Sequence, residues 1–413
     1  MSAPDVAGAR VLLLIPAQTY RASDFLAAAH RMGLTVVVGS DGALPLGGRP
    51  VLHADPRDPE RSAARLVSRA GPVDAVVAVD TPMLALAVTV AARAGLPHNP
   101  IESVMAATDK AAQRRRWAAA GVCQPAFQIV RASAGDDAMA KAAAGTAFPC
   151  VVKAVSLSGS RGVLRADDEA GAVAAAARIR GVLARAGRPA REPLIIEEYV
   201  PGPEVSVDGL LTNGSLAVTA VFDKPDTPAG PTFEETLLVT PSRLPGQVLA
   251  AAIAAAERAA RALALRHGPI HAELRIDTRQ GRPAPAVLEL AARSIGGLCA
   301  RALRFTGGVS LEEMVLANAL GYRPPPAHLG RPSGVLMLHA ERAGTLQAVG
   351  GKAEAAAMPG ITGLTITVPV GQRVHPLPEG DRYLGFIFAE ADTPQDTAAA
   401  LRAARSQLRL TIG

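Results

Sequence analysis

The sequence predicts a protein that joins an α/β unit to a larger α+β unit. In the first hundred residues, short runs rich in β-branched residues alternate with helical stretches, which is typical of a parallel sheet covered by helices on both faces. From Pro193 onward, strand patterns dominate, which favours an antiparallel sheet. With 413 residues, 49% of them hydrophobic, the chain is long enough for two or three packed units.

The amino-terminal elements follow from apolar runs that end at glycines. Strand patterns at 11–15, 34–38 and 73–79 alternate with helical patterns at 22–32 and about 83–94. No GxGxxG follows the first strand, so a dinucleotide-binding site is disfavoured. Asn99-Pro100 then marks a boundary.

The middle of the chain predicts a small unit with a hairpin. A helix is expected over 102–120, carrying Lys110, and an alanine-rich helix over 168–186. Strands are expected at 127–130 and 150–154, with a return strand at 163–166.

The carboxy-terminal half predicts one sheet with additions. Its elements are strands at 194–199, 204–211 and 216–223, a helix at 245–265, and strands at 272–277 and 286–290 joined by a turn at 278–282. Beyond a stiff connector at 323–326, the strands expected at 334–340, 363–368 and 383–389 pack on that sheet, and a helix runs to about 407.

Charge and cysteine usage narrow the functional class. The net charge is +6, but the arginines are scattered and aromatics make up only 3%, so the composition does not favour a nucleic-acid partner. Three cysteines without metal spacing, and no signal peptide, favour reduced thiols in a cytoplasmic protein. No apolar run approaches the ~20 residues needed to span a bilayer.

Lysine is rare, and its positions are informative. Among 43 Lys and Arg residues only five are lysine, at 110, 141, 153, 224 and 352. A compact ammonium reaches between phosphates where a planar guanidinium does not fit. Lys153 ends an apolar strand and precedes a Gly/Ser loop at 156–162. That order suits a loop folding over polyphosphate, although an ordinary hairpin has the same appearance.

Two glutamates lie inside short apolar strands, Glu273 in Ile-His-Ala-Glu-Leu-Arg-Ile and Glu289 in Val-Leu-Glu-Leu. A charge in such a strand is costly unless it is paired or binds metal. If the strands form a hairpin, the two carboxylates meet on one face and offer the oxygen ligands that Mg²⁺ prefers. The alternative is a structural ion pair with Arg275 or Arg293.

These motifs, together with Ile195-Ile196-Glu197-Glu198-Tyr199-Val200-Pro201-Gly202-Pro203-Glu204, resemble the ATP-grasp superfamily in order and spacing, from about Lys110 to Arg293. The resemblance implies an ATP-grasp fold in three parts. These are a Rossmann-like preATP-grasp domain at 1–105, a central lid domain at 106–192, and an antiparallel-sheet domain at 193–413 that carries the catalytic and metal residues.

The resemblance also implies the nucleotide contacts. Lys153 and Lys110 would contact the phosphates from opposite sides, with Lys153 also touching adenine, and Lys224 would reach the γ-phosphate. The loop would contribute Ser158, Gly159, Ser160 and Gly162. Adenine would lie against Glu197, Glu198 and Val200, and the ribose hydroxyls would bind Glu204. Glu198 could equally be a solvated surface carboxylate.

By the same resemblance, Glu273 and Glu289 would bind Mg²⁺, as two ions for which Mn²⁺ can substitute. The family usually has Asn two residues after the second glutamate; here Ala291 replaces it, which puts the second ion in doubt. Arg293 would neutralise charge on the transferring phosphoryl group. His271 could contact substrate or phosphate, or be structural.

The function expected from the resemblance is an ATP-dependent carboxylate–amine ligase acting through an acyl phosphate on small molecules, with amino acids as the expected substrates. The tail 382–389 and the segment 233–236 resemble the dipeptide-forming L-amino-acid ligase branch. A homodimer is expected, and no membrane partner. The alternatives are a biotin-carboxylase-like or purine-pathway enzyme activating bicarbonate or formate, and a nucleotide-binding module without turnover.

Overall fold

The structure is a computed structural model. It describes residues 6–44, 48, 50–131, 133, 135–189, 192–279, 281, 283–323 and 329–413. Parts of the sequence predictions lie outside the described residues: positions 1–5, 45–47 and 49 of the first domain, 132, 134 and 190–191 of the second, and 280, 282 and 324–328 of the third, which include two positions of the 278–282 turn and positions 324–326 of the connector.

The amino-terminal unit is a four-stranded parallel sheet. Its elements are β1 (Arg10–Leu14), α1 (Ala22–Arg31), β2 (Thr35–Ser40), β3 (Val51–His53), α2 (Pro59–Ala70), β4 (Ala75–Ala78) and α3 (Leu84–Arg93). The strand order is β3-β2-β1-β4. Alternate residues of β1 are buried in separate clusters on the two faces, as expected for a parallel sheet with helices on both sides. The predicted α/β unit is confirmed.

The middle segment forms an antiparallel sheet. Its elements are α4 (Ile101–Ala106), α5 (Lys110–Ala119), β5 (Phe127–Val130), α6 (Asp136–Ala144), β6 (Cys150–Ala154), β7 (Val163–Ala166), α7 (Glu169–Arg185) and β8 (Leu194–Glu198). The strand order is β5-β8-β6-β7. β8 pairs with β5 and β6, so it belongs to the middle sheet. We therefore propose the same three domains, with the boundary between the second and third moved from residue 192 to a point beyond Glu198.

The single helix predicted over 102–120 is wrong, because the structure has two helices there. The Asp109 carboxylate accepts a hydrogen bond from the Ala112 backbone N–H at 2.8 Å, so Asp109 is the N-cap of α5. This cap starts a new helix at Lys110.

The carboxy-terminal half is built on an eight-stranded sheet. Its elements are β9 (Glu204–Thr212), β10 (Ser215–Lys224), β11 (Leu237–Thr240), α8 (Gly246–Ala262), β12 (Gly268–Asp277), β13 (Ala284–Ala291), α9 (Leu311–Ala319), β14 (Ser333–Leu338), β15 (Gly344–Gly350), α10 (Lys352–Ala356), β16 (Ile361–Ile366), β17 (Arg373–Val374), β18 (Gly385–Glu390), α11 (Pro394–Gln407) and β19 (Arg409–Ile412). The strand order is β13-β12-β9-β10-β11-β14-β18-β16, so the tail strands extend the sheet edge to edge. A small sheet, β17-β15-β19, lies beside it.

Packing ties the units together. The Trp117 indole on α5 donates to the Ala259 carbonyl on α8 at 3.1 Å, and the alanine face of α8 allows that approach. One hydrophobic cluster joins Phe25 of α1 to Ile295 and Phe386 of the carboxy-terminal half. None of the helices in the described ranges combines the length and apolar composition needed to cross a bilayer.

Candidate functional site

A cavity between the middle sheet and the eight-stranded sheet, called here the first cavity, gathers most of the predicted site. Its lining includes every predicted site residue except Gly162: Lys110, Lys153, Ser158, Gly159, Ser160, Glu197, Glu198, Val200, Glu204, Lys224, His271, Glu273, Glu289 and Arg293. These residues come from segments almost two hundred positions apart in the sequence.

The hairpin of β12 and β13 sets the two central glutamates. Glu273 lies directly opposite Glu289 in the antiparallel register. Cross-strand neighbours project on the same face, so both carboxylates line the first cavity. The alternative pairing with Arg275 or Arg293 does not occur: Glu289 contacts the Lys110 ammonium at 3.1 Å, and Glu273 contacts His271 at 3.4 Å.

Lys224 lies at the centre of an acidic cluster. Its ammonium donates to Glu204 at 2.7 Å and to Glu235, and Glu273 lies 3.7 Å away. Burial opposes the charge, but the three carboxylates raise the pKa of Lys224 well above its ordinary value. Burial likewise opposes ionisation of Glu204 and Glu273, yet Lys224 holds both carboxyl pKa values low.

Glu235 belongs to this cluster, although it was not among the predicted site residues. Burial raises the pKa of its carboxyl, and the nearby Glu273 raises it further. Lys224 lowers this pKa but does not cancel the two effects. One ligand oxygen from each of Glu204, Glu235 and Glu273 lies within 4.8 Å of the others. The signal that could have found it is the double glutamate in the quoted 233–236 segment.

His271 is buried between two carboxylates. Its Nδ1 lies 3.1 Å from both oxygens of Asp208, and its Nε2 faces Glu273. Burial alone would lower the imidazole pKa, but Asp208 and Glu273 outweigh it and raise the pKa to about 9. Asp208, on the neighbouring strand β9, was not predicted from the sequence.

The strand β8 places its two glutamates in different surroundings. The Glu197 carboxylate is enclosed: Arg114 donates two hydrogen bonds to it, at 2.7 and 3.0 Å, and Lys153 donates one at 2.6 Å. Burial would raise the pKa of Glu197, but these cations lower it to about 2. Glu197 therefore holds Lys153 in place, and its oxygens are already occupied. Glu198 is partly exposed and pairs with Arg279.

The turn after β8 is fixed by Arg275. Its guanidinium donates to the Glu204 carboxylate at 2.9 Å and to the Val200 carbonyl at 3.0 Å. It also lies over the rings of Tyr199 and Phe233, 5.1 and 5.7 Å from their centroids. Arg275 therefore positions both Val200, predicted to face the adenine, and Glu204, predicted to bind the ribose.

The Gly/Ser loop adopts the left-handed backbone that its sequence allows. Gly159 has φ +65° and Gly162 has φ +61°. The Gly162 N–H donates to the Pro378 carbonyl at 3.2 Å, so this residue holds the loop against the tail instead of lining the first cavity. Lys110 reaches the start of the loop, donating to the Leu157 carbonyl at 2.5 Å.

A second cavity, of about 490 Å³, adjoins the first. The two share Ser158, Gly159, Glu235, His271, Glu273 and Arg293. Its size lies within the range typical of small-molecule sites. The Arg293 Nε donates to the Thr81 hydroxyl at 3.1 Å and its Nη1 to the Ser294 carbonyl at 2.9 Å, which aims the guanidinium at this junction.

Comparison with known proteins places this chain and its fold in a family. The ATP-grasp domain matches residues 146–302, and L-amino acid ligase C-terminal domain 2 matches residues 336–413. A D-alanine–D-alanine ligase of Gloeobacter violaceus is 30% identical over 230 residues, covering 54% of this chain and 72% of the relative. The chain belongs to the ATP-grasp family. Within it, the tail carries the L-amino acid ligase C-terminal domain.

Two further relatives refine the comparison. Carnosine synthase 1 of Gallus gallus is 33% identical over 217 residues, half of this chain, but the match spans only 23% of that relative's length. The crystal structure of an L-amino acid ligase from Bacillus licheniformis superposes with a TM-score of 0.82 at 24% identity, covering 97% of this chain and 98% of that one. At that identity the likeness establishes the fold.

Proposed function

We propose that the chain is an ATP-dependent carboxylate–amine ligase that forms an amide bond between amino acids and releases ADP and phosphate. The observation that supports it most directly is the cross-strand pair of Glu273 and Glu289 in the first cavity, where Glu273 and Arg293 also line the second cavity. One cavity is rich in lysines suited to a nucleotide, and the other is large enough for small substrates. The names of the relatives, ligases and a synthase, agree with this proposal.

ATP would occupy the first cavity. Lys110 and Lys153 would contact its phosphates, and Ser158, Gly159 and Ser160 would cover them. Glu198 and Val200 would face the adenine, with Glu204 at the ribose. Glu197 would act by holding Lys153.

The donor set fits Mg²⁺, which takes carboxylate oxygens and keeps several waters. Glu273 and Glu289 would hold it, and it would supply positive charge that offsets the charge of the nucleotide phosphates. Ala291 offers no ligand, so a second ion would rely on the phosphates and water. Two ions, with Mn²⁺ as a substitute, remain part of the proposal.

The chemistry needs two displacements. A carboxylate oxygen of the first substrate attacks the γ-phosphorus, and the bond to ADP breaks. The amine nitrogen of the second substrate then attacks the acyl carbon, inorganic phosphate leaves, and the nitrogen loses a proton. Arg293 and Lys224 would stabilise the negative charge on the transferring group, and protonated His271 would hold Glu273 in place.

Phosphate release tests this proposal. Protein with Mg-ATP and paired amino acids should release phosphate only when a carboxylate donor and an amine are both present. Hydroxylamine should trap the acyl phosphate as a hydroxamate. Arg293→Ala should lower turnover about 100- to 1000-fold, which is the usual effect of removing one donor that stabilises transition-state charge. The affinity for ADP should change little. Arg69→Ala, on an exposed face of α2, is the matched control.

Two outcomes would replace the proposal with a rival. Release that requires bicarbonate and no amino acid would support the carboxylase. No release with any carboxylate, despite nucleotide binding, would support a binding module. The oligomeric state, for which we propose a homodimer, is measured independently by light scattering.

A further inference from the structure

The second cavity carries a cluster of arginines at a distance from the reaction centre. Arg161 comes from the Gly/Ser loop, Arg188 from the segment after α7, and Arg382 from the tail. All three line the second cavity and none lines the first. Three separate segments therefore direct cations into the space beyond Arg293.

Arg161 is the least satisfied member of the cluster. Its Nε is buried and, within the described residues, has no hydrogen-bond acceptor. Burial lowers the pKa of this guanidinium; the nearby Asp381 acts in the opposite direction, and Arg185 and Arg188 lower the pKa further. A buried guanidinium N–H without an acceptor is costly, and a bound anion would supply that acceptor.

The carboxylate beside the cluster does not balance it. Asp381 accepts hydrogen bonds from Arg382 Nε and Nη2 at 3.0 and 3.2 Å, so both of its oxygens are engaged by Arg382, while Arg161 and Arg188 line the same cavity. The Gly162–Pro378 backbone bond holds the loop that carries Arg161 against this tail segment.

We propose that Arg161, with Arg188 and Arg382, binds the carboxylate of the incoming amine substrate. Resting on the proposed ligase function, this assigns the second substrate to amines that carry a carboxylate, as opposed to simple amines. The amine would point to the junction at Arg293 and its carboxylate to the arginines. A guanidinium suits this role because its fork of N–H donors matches a carboxylate.

The test compares nucleophiles within one variant. With a fixed carboxylate donor, each amino acid accepted by the wild type is assayed beside its carboxamide. Hydroxylamine serves as the nucleophile that needs no anion site. Arg161→Met should raise KM for the amino acid about tenfold or more, while KM for the carboxamide, the hydroxamate rate and KM for ATP stay within about twofold. Arg69→Met is the charge-matched control.

Three results would overturn the subsite. In the first, Arg161→Met alters KM for ATP and the hydroxamate rate, which assigns Arg161 to the phosphates. In the second, it affects the amino acid and its carboxamide equally. In the third, the wild type uses the carboxamides as readily as the amino acids. Absence of hydroxamate in the wild type would contradict the ligase function itself, so the two failures are distinguishable.

Discussion

At the scale of single residues, His271 shows charge outweighing burial. A buried imidazole is ordinarily neutral, but here carboxylates flank both of its nitrogens. With a pKa of about 9, the side chain is protonated at neutral pH. Protonated His271 offers an N–H to each of Asp208 and Glu273, which fixes the orientation of the Glu273 carboxylate.

This arrangement predicts a pH-dependent contribution to stability. The folded-state pKa of His271 is raised, so its contribution is fully present below about pH 6.5, the unfolded value, and is lost as pH rises through about 9. Denaturant unfolding of wild type and His271→Gln should show a difference in unfolding free energy that shrinks between pH 6.5 and 9. The exposed His53→Gln serves as control. A difference that is constant or grows with pH would contradict the assignment.

Some site residues could be predicted because their type is unusual for their sequence context, whereas others could not. Lys110, Lys153 and Lys224 stand out because lysine is rare in this chain. Glu273 stands out because an apolar strand rarely carries an unpaired charge. Asp208 and Arg114 gave no such signal, since only the pairing of β9 with β12 and the packing of α5 against β8 bring them to the site.

At the scale of elements, the turn between β8 and β9 depends on one glycine. Gly202 has φ +109°, and a Cβ at this position would overlap the Ile276 carbonyl oxygen. The neighbouring Pro203 carbonyl accepts a hydrogen bond from the Ile276 N–H at 2.8 Å. Moving the two backbone segments apart would break this bond. This turn sets the positions of Val200 and Glu204.

Two alanine substitutions separate backbone strain from overlap. Gly202→Ala combines both and should lower the free energy of unfolding by about 3 kcal/mol or more. Gly214→Ala, at φ +85° with open space around it, adds strain alone and should cost about 1 kcal/mol. Urea unfolding measures both. If both variants lose the same free energy of unfolding, the backbone at Ile276 moves to accommodate the added Cβ at little energetic cost.

Sequence patterns predicted the elements with strong local signals. Buried strands such as β1, β6 and β12 contain short runs rich in apolar residues, which are typical of buried strands. The sequence patterns did not predict β3, α2, α6, β11, α9, β15, α10, β17 and β19. β3 has three residues, β11 has four and β17 has two, so each has a weak pattern. α2 is amphipathic and follows the N-cap Asp58, so its own pattern favours a helix and could have been recognised. The tail strands β14, β16 and β18 were predicted, but their edge-to-edge order depends on pairing between distant segments.

At the scale of the whole molecule, the site lies where three units meet. Arg21 of the amino-terminal unit donates to the Asp80 carboxylate at 3.1 Å and to the Ser294 hydroxyl at 2.5 Å. Thr81 accepts from Arg293, and Lys153 brings in the middle sheet. A ligand held here would therefore contact residues fixed by all three units.

This geometry predicts that nucleotide and metal stabilise the protein jointly. A ligand that binds only the folded state adds about 2.7 kcal/mol when present at 100 times its Kd. Mg-ADP should raise the melting temperature more than ADP with EDTA, because Glu273 and Glu289 repel the phosphates unless a cation lies between them. Glu289→Gln, at a partly exposed position, should reduce that magnesium-dependent difference, whereas Glu257→Gln on α8 should not. If the shift with ADP is equal with magnesium and with EDTA, or is unaffected by Glu289→Gln, the two glutamates do not bind the metal. The melting curves of the three proteins, each with magnesium and with EDTA, decide between these outcomes without requiring any knowledge of the substrates.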